Sequence, residues 1–216
     1  AAATLNLGAF SSASVITVPS DGGDDSFAAH FLVPLGPGTL SLTGGRVLED
    51  DRAGTGYTVD AAGTQIYGSL LLTRSSNGRN YSQAVLGAQR QLDPYTFAVG
   101  ELYRNGLGAD EPEDYPSLLA SDAYRTGNIL TLGRYNLALQ FSRQVSPLFT
   151  LTPALFANLA DPSALLRVDG SLSLSDLTDL SGGMFLGLGE RSDGAIPGSE
   201  YGRIPVSLYV EIVHNI

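Results

Sequence analysis

The chain has 216 residues, a length that suits one all-β domain. It has no cysteine, which excludes disulfides and thiolate metal ligands. Its formal charge of −10, with arginine as the only basic residue besides two histidines, excludes the basic face that nucleic-acid binding needs.

Taken in order, Thr4 to Val18 alternates weakly and reads as one long strand or two short ones. Pro19 to Asp25 is a polar loop rich in turn formers. Phe27, Ala29, Phe31, Val33 and Leu35 line one face of the next strand, which turns tightly at Gly36-Pro37-Gly38. A strand runs from Thr39 to about Leu48, and Glu49 to Gly54 reads as a charged loop. Tyr57 to Asp60 is a short strand turning at Ala62-Gly63. Gln65 to Arg74 is a stronger one, closed by the loop Ser75 to Asn80. Tyr81 to Gln91 turns at Asp93-Pro94, where proline is at home, into Tyr95 to Arg104. A long break follows, from about Asn105 to Asn128, and Ser117 to Ala123 suits a short helix within it.

The second half alternates most clearly, with a period of two that only a strand explains. Tyr135, Leu137, Leu139 and Phe141 oppose Arg134, Asn136, Gln140 and Ser142 on a strand predicted from Leu130 to Val145. Leu148 to Asn158 follows the turn at Ser146-Pro147. Leu166, Val168, Leu172 and Leu174 oppose Arg167, Asp169, Ser171, Ser173 and Ser175. Leu180 to Gly189 is another strand, and Glu190 to Gly202 a long polar loop. Ile204, Val206, Leu208, Val210 and Ile212 finally oppose Ser207, Tyr209 and Glu211.

From Gly36 onward, tight turns and longer loops alternate, as an up-and-down meander requires. About 12 strands of roughly 10 residues match the length that a tilted strand needs to cross a bilayer. The expected fold is a single antiparallel up-and-down transmembrane β-barrel spanning 1–216, either whole or part of a larger barrel. Its apolar side chains would face lipid and its polar ones the lumen. Tyr57, Tyr81, Tyr95, Tyr103 and Tyr201 near strand ends suit interfacial girdles.

Stretches such as Gly100-Glu101-Leu102-Tyr103-Arg104-Asn105-Gly106 and Leu172-Ser173-Leu174-Ser175-Asp176 resemble segments of bacterial outer-membrane β-barrels of the porin-like kind. That resemblance implies an outer-membrane channel for passive diffusion of ions or small polar solutes. Many such barrels end in an aromatic residue, whereas this chain ends Val213-His214-Asn215-Ile216. A missing terminus and a different assembly route both stay open, as does a start after a removed signal.

The expected lumen residues are Arg134, Asn136, Gln140, Arg167, Asp169, Ser171, Ser173, Ser207, Tyr209 and Glu211, since charged rings filter ions. The same groups could instead pair across a narrow barrel and plug it, because small barrels are filled by side chains. A non-conducting scaffold or sheath for a partner protein, and a soluble all-β adhesion or assembly module, are the other readings. The expected partners are the lipid bilayer and the solute, with a homo-oligomer or an outer-membrane partner protein left open. No catalysis is expected: His30 and His214 have no serine and carboxylate in a recognisable order, and the serine–histidine motif of outer-membrane phospholipases is not visible. No cofactor or metal is expected either. The clusters Asp21/Asp24/Asp25, Glu49/Asp50/Asp51 and Asp110/Glu111/Glu113/Asp114 match no calcium loop and read as solvated charge.

Overall fold

The computed structural model describes residues 1–19, 25–76, 78–191 and 198–214. Asp21 and Asp24 of the first acidic loop, and Asn215 and Ile216, lie outside them. The chain is all-β, with thirteen antiparallel strands in one up-and-down sheet whose order follows the chain. The strands are β1 (Ala2–Asn6), β2 (Ser12–Val18), β3 (Ser26–Leu35), β4 (Gly38–Val47), β5 (Asp50–Ala61), β6 (Thr64–Arg74), β7 (Asn80–Asp93), β8 (Thr96–Asn105), β9 (Tyr135–Ser146), β10 (Phe149–Asn158), β11 (Ser163–Ser175), β12 (Thr178–Leu188) and β13 (Ser207–His214). The thirteenth strand arises at the N-terminus, where Thr4 to Val18 divides into β1 and β2. The chain forms two compact units, Ala1–Gly87 and Ala88–Ile216.

In the first unit the register assembles one apolar face. Phe27 pairs with Thr17 and Arg46, Phe31 with Ala13 and Leu42, and Val33 with Leu40. Leu42 continues to Thr55 and Leu70, and Ala53 to Leu72. Neighbours in register point to the same side of a sheet, so these side chains share a face. Most of its large members are exposed, among them Leu5, Val15, Phe27, Phe31, Leu35, Leu42, Ile66, Leu70 and Leu72. The other face carries Ser14, His30, Thr43 and Gly54 in one cross-strand row.

The expected charged loop from Glu49 to Gly54 is not a loop. Leu48 and Glu49 both take positive φ, 51° and 69°, and close a tight turn. Such a turn normally selects Gly or Asn, so composition concealed it. Asp50 and Asp51 therefore open β5, and Asp51 faces Arg46 and Arg74 across the ladder. Its carboxylate lies 3.7 Å from Arg46 Nε. Asp50 and Asp51 are thus paired within the sheet, while Glu49 stays exposed in the turn.

In the second unit, tight and long connections alternate. β7 and β8 join at Pro94-Tyr95, β9 and β10 at Pro147-Leu148, and β11 and β12 at Asp176-Leu177. A side-chain oxygen on the outgoing strand caps each turn: Asp93 accepts from Tyr95 N, Ser146 from Phe149 N and Ser175 from Leu177 N. The intervening connections span 106–134, 159–162 and 189–206. The first holds a 3-10 turn at Pro112–Asp114 and two short helices, α1 (Tyr115–Leu119) and α2 (Asp122–Arg125). Ser121 caps α2 by accepting from Tyr124 N.

Burial is distributed unusually. Among the described residues, the buried apolar side chains are Leu107, Ala109, Tyr115, Leu118, Ile129, Leu132 and Ala154. All but Ala154 belong to the 106–134 connection. The leucines of the strands contribute none.

Candidate functional site

The second unit has a polar face built by register. Asn136 of β9 pairs with Asn158, and Gln140 with Ala154, which pairs in turn with Arg167 of β11. Arg167 continues to Phe185 and then Ser207, Asp169 to Gly183 and Tyr209, and Ser171 to Ser181 and Glu211. Ser173 pairs with Asp179, whose carboxylate accepts its hydroxyl at 2.8 Å. Nine of the ten expected lumen residues thus lie on one face: Asn136, Gln140, Arg167, Asp169, Ser171, Ser173, Ser207, Tyr209 and Glu211.

The tenth, Arg134, does not. It precedes β9, which starts at Tyr135, and its Nε donates to Asp110 at 2.7 Å. The alternation that assigned it to the strand runs one residue too far, because Gly133 forms a parallel bridge to Ala109 instead of extending β9. Ile204 and Val206 likewise fall outside β13, in the connection before it.

At the centre of this face is a compact cluster. Arg167 Nε lies 2.5 Å from Asp169 Oδ2, and Tyr209 donates its hydroxyl to Asp169 Oδ1 at 2.6 Å. The guanidinium sits 5.5 Å from the centre of the Phe185 ring, within cation–π range. Phe185 and Tyr209 are themselves tilted neighbours at 6.2 Å. Gly183 is required between them, since a Cβ there would meet Asp169 Oδ1 and the Tyr209 ring. Both oxygens of Asp169 are committed, and so is the charge of Arg167.

At one end of the same face the three long connections are knitted together. Tyr115 of α1 donates to Asp161 at 2.5 Å. Asn158 Nδ2 donates to the Tyr115 hydroxyl at 2.8 Å and to Glu200 at 2.7 Å. Glu200 accepts from the backbone of Leu132 and Gly133, and its own N–H donates to Asp161. Asn136 binds Thr131 and the Gly133 carbonyl, and Asn105 binds the Thr131 carbonyl. Asn105, Asn136, Asn158 and Ser163 project from the polar face, so the 106–134 connection is anchored on that side. Any side chain at Gly133 would collide with the amide of Asn158.

Burial and two neighbouring carboxylates push the hydroxyls of Tyr115 and Tyr201 far above the usual tyrosine range, so both stay protonated. Burial also raises the Glu200 carboxyl, opposed by the two backbone donors that favour its anion.

No protein family, no curated protein and no solved structure matches this chain.

The remaining expectations divide. His30 lies on the polar face of its strand, beside Ser14 and Thr43. His214 Nδ1 is 2.9 Å from Thr178 Oγ1. Among the described residues, no group of three His, Asp or Glu could hold a metal ion. A shallow pocket of about 590 Å³ in the first unit is lined by Asp51, Ala53, Leu72, Arg74 and Tyr81, with no catalytic constellation. Of the expected girdle tyrosines, Tyr103 lies on the polar face opposite Asn136, and Tyr201 is half-buried in the 189–206 connection. Tyr57 lies on the apolar face and donates to the Leu35 carbonyl. Sequence reasoning missed the knitted end entirely. Asn105, Tyr115, Asn158, Asp161 and Glu200 are scattered polar residues at strand ends and in loops, and no periodicity links them.

Proposed function

We propose that this chain is a bacterial outer-membrane β-barrel, a porin-like channel for passive diffusion of ions or small polar solutes. One observation carries the reading. Strand after strand turns leucine, valine, isoleucine and phenylalanine to one side, yet those side chains bury no common core. Leu208, Val210 and Ile212 of β13 are 76%, 77% and 66% exposed. Soluble proteins rarely leave apolar faces of this size in water. Hydrocarbon is the solvent that removes its cost, and antiparallel meanders cross bilayers when they close on themselves.

The opposite face suits an aqueous lumen, with Gln140, Ser171, Ser181, Ser207 and Glu211 in register around the Arg167–Asp169–Tyr209 cluster. Closure of the meander belongs to this proposal. In a thirteen-strand meander the first and last strands run the same way. Direct closure therefore pairs them in parallel, and antiparallel closure takes a further strand.

The 106–134 connection favours a second reading, because it occupies space on the polar side. On that reading the barrel is a non-conducting scaffold or sheath for a partner protein. Planar-bilayer recording separates the two. A channel gives discrete ohmic steps after insertion of the purified chain, and a plugged scaffold gives none. A chain that stays monodisperse and folded without detergent would overturn both membrane readings and leave the soluble all-β module.

A further inference from the structure

We infer that the apolar face of the first unit ends in a seat for a zwitterionic phospholipid, one whose headgroup carries a phosphate diester and a primary ammonium. The inference rests on the membrane reading above and is independent of conductance.

The seat is a single rung of the ladder. Phe27 of β3, Arg46 of β4, Asp51 of β5 and Arg74 of β6 stand in register across four strands. Neighbours in register point to the same side, so the rung belongs to the face that carries Leu42, Leu70 and Leu72. It lies where the strands run out: β4 stops at Val47, β5 opens at Asp50 and β6 stops at Arg74. On the membrane reading, that is the depth at which hydrocarbon gives way to headgroups.

The signs alternate along the rung: positive, negative, positive. Adjacent strands are about 4.8 Å apart, so one small zwitterion can reach two neighbouring charges. Arg46 Nε is 3.7 Å from Asp51 Oδ1, too long for a hydrogen bond. Arg46, Asp51 and Arg74 are all exposed, so the carboxylate keeps acceptor capacity and a guanidinium flanks it on either side. Asp51 and Arg74 also line the shallow pocket of about 590 Å³, with Ala53 and Leu72 in its wall. Of the other charges nearby, Asp50 and Arg52 alternate to the opposite face and pair with each other. Glu49 lies in the adjoining turn, and Asp25 and Arg79 lie outside the strands with partners of their own.

This pattern selects among headgroups. A phosphate diester accepts from guanidinium, and a primary ammonium donates to a carboxylate. A headgroup with both satisfies Asp51 and a flanking arginine together. A headgroup with phosphate alone meets repulsion from Asp51, and a quaternary ammonium has no N–H to donate. The acyl chains then cover Leu42, Leu70 and Leu72, which are exposed. That apolar contact favours the lipid over its water-soluble headgroup.

The test is native mass spectrometry of the purified full chain in detergent micelles. The micelles are first equilibrated with phosphatidylethanolamine, phosphatidylcholine or phosphatidylglycerol of identical acyl chains. The expected result is severalfold greater retention of phosphatidylethanolamine, a comparison that needs no variant. Asp51→Asn should equalise the ethanolamine and choline lipids. Arg74→Gln should lower retention of the ethanolamine lipid, and serves if Asp51→Asn does not fold. Asp60→Asn makes the same charge change at the opposite end of β5 and should leave the preference intact. Glycerophosphoethanolamine, which lacks the chains, should not displace the lipid at equal concentration. Equal retention of the three lipids, or preference for choline or glycerol headgroups, overturns the inference. So does equal loss from Asp60→Asn and Asp51→Asn, or displacement by the soluble headgroup. All of these leave the membrane reading standing. A chain that stays folded and monodisperse without detergent removes that reading, and the inference with it.

Discussion

The strands and the 106–134 connection solve the burial problem in opposite ways. The connection buries Leu107, Leu118, Ile129 and Leu132, together with Tyr115, which is 0% exposed. It behaves as water-borne proteins do, with apolar groups inside and polar groups paired. The strands carry far more leucine and bury almost none. They alternate, pair their backbone along the ladder and leave the apolar side uncovered. On the membrane reading proposed above, the contrast is one of two solvents: water for the connection, and hydrocarbon for the apolar face of the strands.

Tyr115→Ala should break the contrast most severely. It opens a cavity and removes the hydroxyl that donates to Asp161 and accepts from Asn158, at a cost of about 3–5 kcal/mol to that local structure. Hydrogen exchange should show 106–134 losing protection while the strands keep theirs. Equal loss throughout would mean that the connection and the sheet are one cooperative unit. Next in size is Leu139→Arg, with an expected cost of about 2–4 kcal/mol in lipid if the site lies at mid-depth. Ser171→Arg, on the other face, should cost much less. A folding titration in vesicles compares the two, and equal penalties would abolish the distinction between faces. Gly133→Ala drives a methyl group into the Asn158 amide. Overpacking of this kind costs about 1–3 kcal/mol, read as faster proteolysis within 106–134.

The smallest effect concerns pH. Burial raises the Glu200 carboxyl above its ordinary 4.5. The docked connection therefore holds that proton more tightly than the opened one does. The stability this adds is complete below the ordinary value and is lost as pH rises through the raised one. Protection of the Leu132 and Gly133 amides, corrected for intrinsic exchange, should fall from pH 4 towards neutrality. A rise over that interval would contradict the assigned environment of Glu200.

Much of the fold was legible because a strand's side chains alternate regardless of what lies beyond them. Phe27 to Leu35, Leu166 to Ser175 and Leu208 to Ile212 show their two faces in the residue order alone. The tight turns at Gly36-Pro37 and Pro147-Leu148 are local for the same reason. Where local chemistry was silent, the reading erred. Leu48 and Glu49 turn the chain without a glycine, and Gly133 bridges to Ala109 rather than lengthening β9.

Residue order by itself determined the two-faced strands, their alternating connections and the polar identity of nine of the ten candidate lumen residues. Tertiary structure alone decided which polar groups meet. Arg167 finds Tyr209 across two ladders, and Glu200 reaches Leu132, Gly133, Asn158 and Asp161 from a distant connection. Alternation is a property of one strand, written residue by residue. A hydrogen bond between distant segments depends on register and on the path of the chain between them, which no local pattern encodes.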